Sequence, residues 1–529
     1  MPRAPLMMLR ASLMMLGALS VMLRAPLVVL RTPLVTLRAP LVILRSPLVI
    51  LRAPLVMLRA PPVMLRAPLM ILVARWSVCA GYNDVSWHNP DIISPRLEQL
   101  AREGVILEQN YVLPLCTPSR SGLMTGRYPF HLGRQHNVLF GTQPTGLTLN
   151  HTLLPELLQE AGYSTHMVGK WHLGFCAPEY LPQARGFQSF LGYWQGAEDY
   201  YNHTEAIGDS VTLDFWDGEK SAPELSGVYS AELYGDRAES LIREHDQQSP
   251  MFLYLAMQNV HMPLQVPQRY EDMYPSVRNA DRRTFSGMVT ALDDAVGKVV
   301  DALKEVGMYN NTVIVFMGDN GGLPHAGGNN YPLRGTKGTL WEGGTRTPAF
   351  VHSPLLAASN YSNYRLVHIT DWLPTLLRVA GAGGGLDGDG FDQWDSIASN
   401  APSARSEMVY NIDDFGITFQ AALRDGDLKL VWGQNQVNSH WYPVPESATP
   451  PPQLADPDDT LGYSAHLFNI TADPTEREDL AARLPGEVTR LQARVKQLMK
   501  TEVPADFPPG DDAGHPVDGV WTTGWCEAH

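Results

Sequence analysis

The sequence predicts an α/β fold: a large sheet with helices on both faces, followed by a smaller C-terminal α+β domain. Three observations lead there. Met251–Ala256 and Thr312–Met317 are short apolar runs of the kind that form buried parallel strands. Between them Arg283–Val306 keeps helical spacing and stops at Gly307. Helices alternating with buried strands give a doubly wound sheet, and such sheets bind ligands beyond the carboxyl ends of their strands. The remaining elements follow in order. Pro95–Glu108 has helical spacing and leads into Gln109–Leu115. Thr152–Glu160 is an amphipathic helix that ends near Gly162, and a short strand, Ser164–Val168, follows. The glycine-rich run Gly381–Gly390 is a linker or surface loop. Ala421–Trp432 has the form strand, Asp-Gly, strand, which is a hairpin. Pro485–Met499 is a helix with proline in its first turn, where a missing N–H costs nothing. The expected domains are 76–396 and 397–529.

Residues 1–75 are of another kind. Of the 529 residues, 40 are basic and 55 acidic, a net charge of −15. Ten of the arginines and none of the acids lie in 1–75, so the rest carries −25. From Leu23 a heptad of the form Leu-Arg-Ala-Pro-Leu-Val-Val repeats seven times. One proline per heptad excludes a coiled coil, at roughly 3 kcal/mol each in a helix interior. An arginine every seven residues excludes a membrane span, so no transmembrane span is expected. Ala11–Leu23 has the length of a signal h-region, but no small-residue cleavage site follows it. The segment 1–75 reads as a low-complexity repeat without a core of its own, disordered or the product of a faulty gene model. The acidic balance argues against nucleic acid as a partner. Four cysteines, at 79, 116, 176 and 526, exclude a disulfide scaffold. Sequons start at Asn150, Asn202, Asn310, Asn360 and Asn469, which suits a glycoprotein of the secretory pathway.

Three strings carry chemistry. Cys116-Thr117-Pro118-Ser119-Arg120 continues through Gly122, Leu123, Thr125, Gly126 and Arg127. Cys116 follows an apolar stretch and precedes a helix whose free N–H groups face an anion, with Arg120 adding a fixed charge. A lone cysteine in that position is ordinarily a small buried hydrophobe. The second string is Gly162–Gly174, in which Lys170 and His172 are two apart and share a side of an extended segment. In the third, Asp319 and Asn320 follow the apolar run Val313–Met317 and precede Gly321-Gly322. Such a string is commonly a turn, yet it also offers two hard oxygens of the type that Ca²⁺ or Mg²⁺ takes. His261, in Gln258–Pro267, and Lys337, in Leu333–Gly344, gain weight from this company.

The first string resembles the sulfatase signature C-x-P-S-R-x-x-L-x-T-G-R, and the second resembles the second sulfatase signature. The resemblance runs from about Gly81 to the C-terminus. Ala197–Tyr201, Leu213–Glu219 and His368–Leu376 make it most similar to the arylsulfatase B group, which includes arylsulfatases I and J. It implies an alkaline-phosphatase-like sulfatase fold with a large mixed sheet. It also implies a lysosomal or secreted hydrolase that removes sulfate from N-acetylgalactosamine 4-sulfate in glycosaminoglycans, or from an aryl sulfate. One Ca²⁺ is implied, held by Asp319, Asn320 and the modified Cys116. The resemblance further implies that Cys116 is converted to formylglycine by the formylglycine-generating enzyme. Its hydrate attacks sulfur while Arg120, Lys170, His172 and Lys337 hold the sulfate oxygens. His261 or a neighbouring cation then protonates the departing alcohol.

The chain departs from the family pattern at one place. The family's Asp-Asp metal pair precedes a Gly-x-x-Asp-Val segment, matched here by Gly81–Val85, so the pair falls at Val78-Cys79. Ala74–Ser77 is also a poor version of the apolar strand expected before it. The expectation is weak calcium binding and poor turnover. The alternative is a catalytically impaired sulfatase-like protein that binds sulfated glycans through the same cations. A phosphatase of the same superfamily would place Ser or Thr at 116.

Overall fold

The computed structural model describes residues 70–76, 80–207, 210–383, 387–416, 418–434, 439–442, 462–511, 514 and 516–529. The chain divides into two units, Met1–Val63 and Met64–His529, and the first lies wholly outside the described residues. The expectations for the repeat over 1–69 and for Val78-Cys79 therefore also fall outside them.

The second unit is built on a ten-stranded mixed sheet. From one edge the strands are Tyr361–Asn363, Val105–Leu107, Ala349–His352, Thr312–Met317, Met70–Trp76, Met251–Met257, Ser164–Lys170, Ser189–Tyr193, Trp216–Asp217 and Lys220–Ser221. The five from Thr312–Met317 to Ser189–Tyr193 are parallel, and antiparallel strands flank them. The apolar runs at 251 and 312 are buried throughout because both faces are covered. Met251, Leu253, Leu255 and Met257 face one core with the helices Ser230–Glu244 and Ala280–Glu305. Phe252, Tyr254 and Ala256 face the other, with Leu154–Glu160 and Trp372–Val379. Gly169, inside Ser164–Lys170, has φ +103°, and a Cβ there would meet Ala256 O at 2.0 Å. Glycine is required at that crossing.

Two expectations are corrected. The helix expected over Pro95–Glu108 ends at Glu103. Gly104 follows, and Val105–Leu107, rich in β-formers, pairs with strands on both sides. The boundary at 75/76 also moves. Met70–Trp76 is the sheet's middle strand, and its first two residues belong to the last heptad copy. The run Met70-Ile71-Leu72-Val73 gives that strand its β-propensity, and neighbours on both sides satisfy its backbone.

After the large sheet comes a four-stranded antiparallel sheet, Glu407–Asp414, Phe419–Asp425, Leu428–Gln434 and Tyr463–Asn469, covered by the helix Pro485–Leu498 through Leu491 and Val495. The hairpin expected at Asp425-Gly426 is present. One buried ion cluster ties this sheet to the short helix Glu342–Thr345, which precedes the strand Ala349–His352. Lys429 Nζ lies 3.0 Å from Glu342 Oε1 and 2.8 Å from Glu476 Oε1. The hydroxyls of Tyr111 and Tyr410 donate to Glu342 at 2.7 and 2.8 Å. The tail then returns to the first domain: Val503 N–H donates to Phe130 O, and Cys176 and Cys526 form a disulfide.

Candidate active site

Three strand ends deliver the sequence-derived residues to one edge of the sheet. Thr312–Met317 runs into Gly318-Asp319-Asn320, Met251–Met257 into Gln258–His261, and Ser164–Lys170 into Trp171-His172. Cys116 opens the helix Cys116–Thr125, and the extended residue Leu115 precedes it. Ser119 fixes this start, since its hydroxyl accepts from Leu113 N–H at 2.9 Å and donates to Leu113 O at 3.1 Å.

Cys116 is a free, buried thiol. Burial alone would raise it. The charges of Lys170, His172 and Lys337, and a hydrogen bond from His172, outweigh that and hold it well below the ordinary thiol range. Arg120 is wholly buried. Its Nε and Nη2 donate to Asp319 Oδ2 at 3.2 and 3.0 Å, and its Nη1 donates to Lys170 O at 2.5 Å. It braces two strand ends together. Lys170 donates through Nζ to Gly196 O at 2.6 Å. Burial brings its ammonium down to about 8, with Cys116 opposing that change.

His172 hydrogen-bonds Leu139 O through Nε2 at 2.9 Å. A carbonyl only accepts, so Nε2 carries a proton. His172 also has φ +59°, a left-handed conformation unusual for a non-glycine residue and held by its backbone bonds to Trp194 and Thr117. His261 stands half-buried at the mouth, with Nδ1 2.6 Å from Met262 O. Burial, followed by Lys337 and Lys170, holds its imidazole well below the usual range. Lys337, also half-buried, is held against the loop after Asp319 and Asn320 by its backbone N–H, which donates to Gly322 O at 3.1 Å. The structure thus gathers Cys116, Arg120, Lys170, His172, Asp319 and Lys337 with His261 at the rim.

Asn320 is buried, donates through Nδ2 to Gly321 O, and leaves Oδ1 buried without a hydrogen-bond partner. That oxygen is suited to a cation. Asp319, however, already faces Arg120, and no group of three His, Cys, Asp or Glu that could hold a metal occurs among the described residues. Two oxygens fall short of the six to eight that calcium takes. The described residues therefore do not form a complete calcium site.

The glycines of these strings are needed for close approach. A Cβ on Gly321 would lie 1.8 Å from Gly343 O, and one on Gly81 would lie 2.2 Å from Asn329 O. Asp84 clamps the same loop, accepting from Gly81 N–H at 2.6 Å and Asn329 N–H at 2.8 Å and pairing with Arg282. Three contributors were not singled out from sequence. Leu139 and Gly196 act through carbonyls and leave no side-chain signature. Thr117 Oγ1 donates to His172 O and accepts from Leu139 N–H, from a variable position of the first string.

Buried carboxyls around this framework set a pH dependence. Burial raises Asp293 to about 7 and, with Asp214 adding to it, raises Glu205 to about 8. Each holds its proton in the folded state above the pH where the unfolded chain releases it. Their contribution to stability is present at low pH and lost as pH rises through 7 and 8. Histidines with depressed values, such as His166 and His203 at about 4, are neutral in both states above their unfolded value of about 6.5. The expected result is a lower melting temperature at pH 8 than at pH 6.5, with a smaller drop in Glu205→Gln. Calorimetry at the two pH values checks it.

The family model described as Sulfatase matches residues 79–382. The chain belongs to the sulfatase family. It is accordingly a sulfuric ester hydrolase by family, with the α/β, alkaline-phosphatase-like fold of its solved relatives. It is 44% identical to arylsulfatase J of Mus musculus over 468 residues, covering 83% of this chain and 78% of that one. It is 29% identical to arylsulfatase A of Homo sapiens, covering 80% and 86%. Among solved structures, Ps i-CgsB superposes with a TM-score of 0.72 at 29% identity, covering 84% of this chain and 95% of that one. No helix among the described residues of this sulfatase is long and apolar enough to cross a membrane.

Proposed function

We propose that this sulfatase is of the arylsulfatase B group and hydrolyses a sulfate ester on a sugar, with N-acetylgalactosamine 4-sulfate as the preferred unit. One observation carries the reading: a buried Cys116 at a helix start, drawn towards the thiolate by Lys170, His172 and Lys337. The 44% identity to arylsulfatase J supports the group. N-acetylgalactosamine-6-sulfatase of Rattus norvegicus, 32% identical over 57% of this chain, and the complex of Ps i-CgsB with k-i-k-neocarrahexaose support a sulfated glycan substrate.

When formylglycine replaces Cys116, it supplies a hydrated aldehyde whose hydroxyl is the nucleophile. The protein's own residues do the rest. Lys170 and Lys337 neutralise sulfate oxygens, and His172, with its Nε2 proton fixed on Leu139 O, orients the nucleophile. Arg120 is a positioning residue here, because its guanidinium is engaged by Asp319 and the Lys170 carbonyl. His261 is neutral before substrate binds, so a lysine is the better proton donor. Lys170, at about 8, is protonated at neutral and acid pH and suited to that step. Co-expression with a formylglycine-generating enzyme should give a modified residue 116 by peptide mass and release sulfate from N-acetylgalactosamine 4-sulfate faster than from the 6-sulfate. Equal rates on the two sugars would remove the 4-sulfate assignment, and no sulfate from either would leave a glycan binder.

Calcium affinity is expected to be weak, with a Kd above about 10⁻⁴ M. Val78→Asp with Cys79→Asp should tighten it at least roughly tenfold, since the family pattern has two carboxylate ligands at those positions. Calorimetric titration of both proteins checks this, and tight binding to the unaltered chain would sink it. A disulfide and exposed sequons at Asn150, Asn202, Asn310 and Asn360 suit passage through the secretory pathway to the lysosome or outside.

A further inference from the structure

Asp214 takes no part in the chemistry above, yet it is wholly buried behind the site, directly after the strand Ser210–Leu213. A carboxyl in such a place needs partners, because burying it without hydrogen bonds costs free energy. Its partners are specific. Oδ2 accepts from Gln195 N–H at 2.9 Å. Oδ1 accepts from Trp194 N–H at 3.2 Å and from the Trp216 indole N–H at 3.0 Å. The indoles of Trp194 and Trp216 stack with ring centroids 3.7 Å apart and close the same joint from the side.

The residues held in this way line the site. The strand Ser189–Tyr193 ends opposite Lys170, and backbone pairing continues past both ends. Trp171 N–H donates to Tyr193 O, and His172 N–H donates to Trp194 O. Gly196 O then accepts from Lys170 Nζ at 2.6 Å. A Cβ on Gly196 would lie 2.8 Å from His172 Cε1, so the turn also packs against the imidazole. Trp194-Gln195-Gly196 belongs to no helix or strand, and two of its three backbone N–H groups go to the Asp214 carboxyl. The turn is thus anchored from behind and presents a carbonyl in front.

Lys170 needs that carbonyl. Its ammonium sits on a flexible stem and has three donors. Fixing one donor on Gly196 O sets the direction of the others, and charge stabilisation is worth most when the group is in place before reaction. We propose that Asp214 is a positioning residue for Lys170. It fixes the turn Trp194–Gly196 through backbone N–H groups, and the Gly196 carbonyl carries that order to the ammonium. This rests on the part given to Lys170 in sulfate ester hydrolysis and deepens it.

The test is a double-mutant cycle in the full chain, with residue 116 converted by a formylglycine-generating enzyme and the conversion checked by peptide mass. Asp214→Asn, Asp214→Ala and Lys170→Met are made singly, and each Asp214 variant is also combined with Lys170→Met. An asparagine amide turns N–H groups towards one of the three donors, so even this near-isosteric change breaks part of the joint. On an aryl sulfate, Asp214→Asn is expected to lower kcat/KM about tenfold and Asp214→Ala about 10²-fold. In the Lys170→Met background each should cost less than about threefold, the remainder running through His172. A residue that merely supports the fold would cost the same factor in both backgrounds, and that result overturns the proposal. Asp214→Asn at the parental rate overturns it too. If Asp214→Ala melts below the assay temperature, the asparagine cycle decides alone. For a parent chain without turnover, the same cycle is read as calorimetric affinity for N-acetylgalactosamine 4-sulfate, where a loss of about fivefold should shrink to within about twofold. No binding by that chain, or Lys170→Met at the parental rate, removes the reading of Lys170 and the proposal together. A Lys170→Met loss no greater on the sugar ester than on the aryl ester, whose leaving group needs no proton, removes only the proton-donor role, and the cycle still decides Asp214.

Discussion

Alanine at Cys116 is expected to lower aryl sulfate hydrolysis by about 10³-fold or more, with little change in the melting curve. The size follows from the role, since removing a covalent nucleophile costs orders of magnitude in kcat, whereas removing one binding contact costs far less. The fold should tolerate the change because the thiol is small and opens only a minor cavity. KM is informative beside kcat. Lys170, His172 and Lys337 remain in the variant, so sulfate binding should persist while turnover collapses. Residual kcat close to that of the unaltered protein would show that position 116 is not the nucleophile. A rise in KM with kcat unchanged would make it a binding residue.

The second large effect concerns stability. Lys429→Met should destabilise the fold by about 3–5 kcal/mol, because it strands Glu476 without a cation and leaves Glu342 only the more distant Arg346 in a fully buried site. The size depends on pH. Burial, the largest influence, already raises Glu476 to about 7, and Lys429 is what opposes it. Without the lysine Glu476 favours protonation further, so the loss should be smaller at pH 5 than at pH 7.5. Urea denaturation at both pH values reads this directly. An unchanged midpoint would mean that the ion cluster does not fasten the smaller sheet to the helix Glu342–Thr345.

The strings around Cys116, Lys170 and Asp319 were legible because each is a local signal: a strand end, a short turn and a side chain with one chemistry. The two apolar strands were equally plain, since burial on both faces leaves an uninterrupted run of hydrophobic residues. What the sequence hid is nonlocal. Gly196 and Leu139 enter the site through backbone carbonyls. Arg120 turns out to brace Asp319 and the Lys170 carbonyl, a partnership across 199 and 50 residues that no spacing announces. The strand at Val105–Leu107 was absorbed into a helix because three residues are too few to show a period. Met70–Trp76 was obscured by its position at the end of a repeat whose regularity belongs to another pattern.

That middle strand has a consequence for any shortened form of the chain. Met70–Trp76 lies in register with Met251–Met257 on one side and with Thr312–Met317 on the other. A form starting at Gly81 would open a slot about 10 Å wide between two apolar strands, each presenting a row of unanswered N–H and C=O groups. Such rows are templates for whatever extended segment reaches them first. The shortened protein should therefore pair with copies of itself and precipitate, and a peptide spanning 68–78 added during refolding should compete with that by filling the slot.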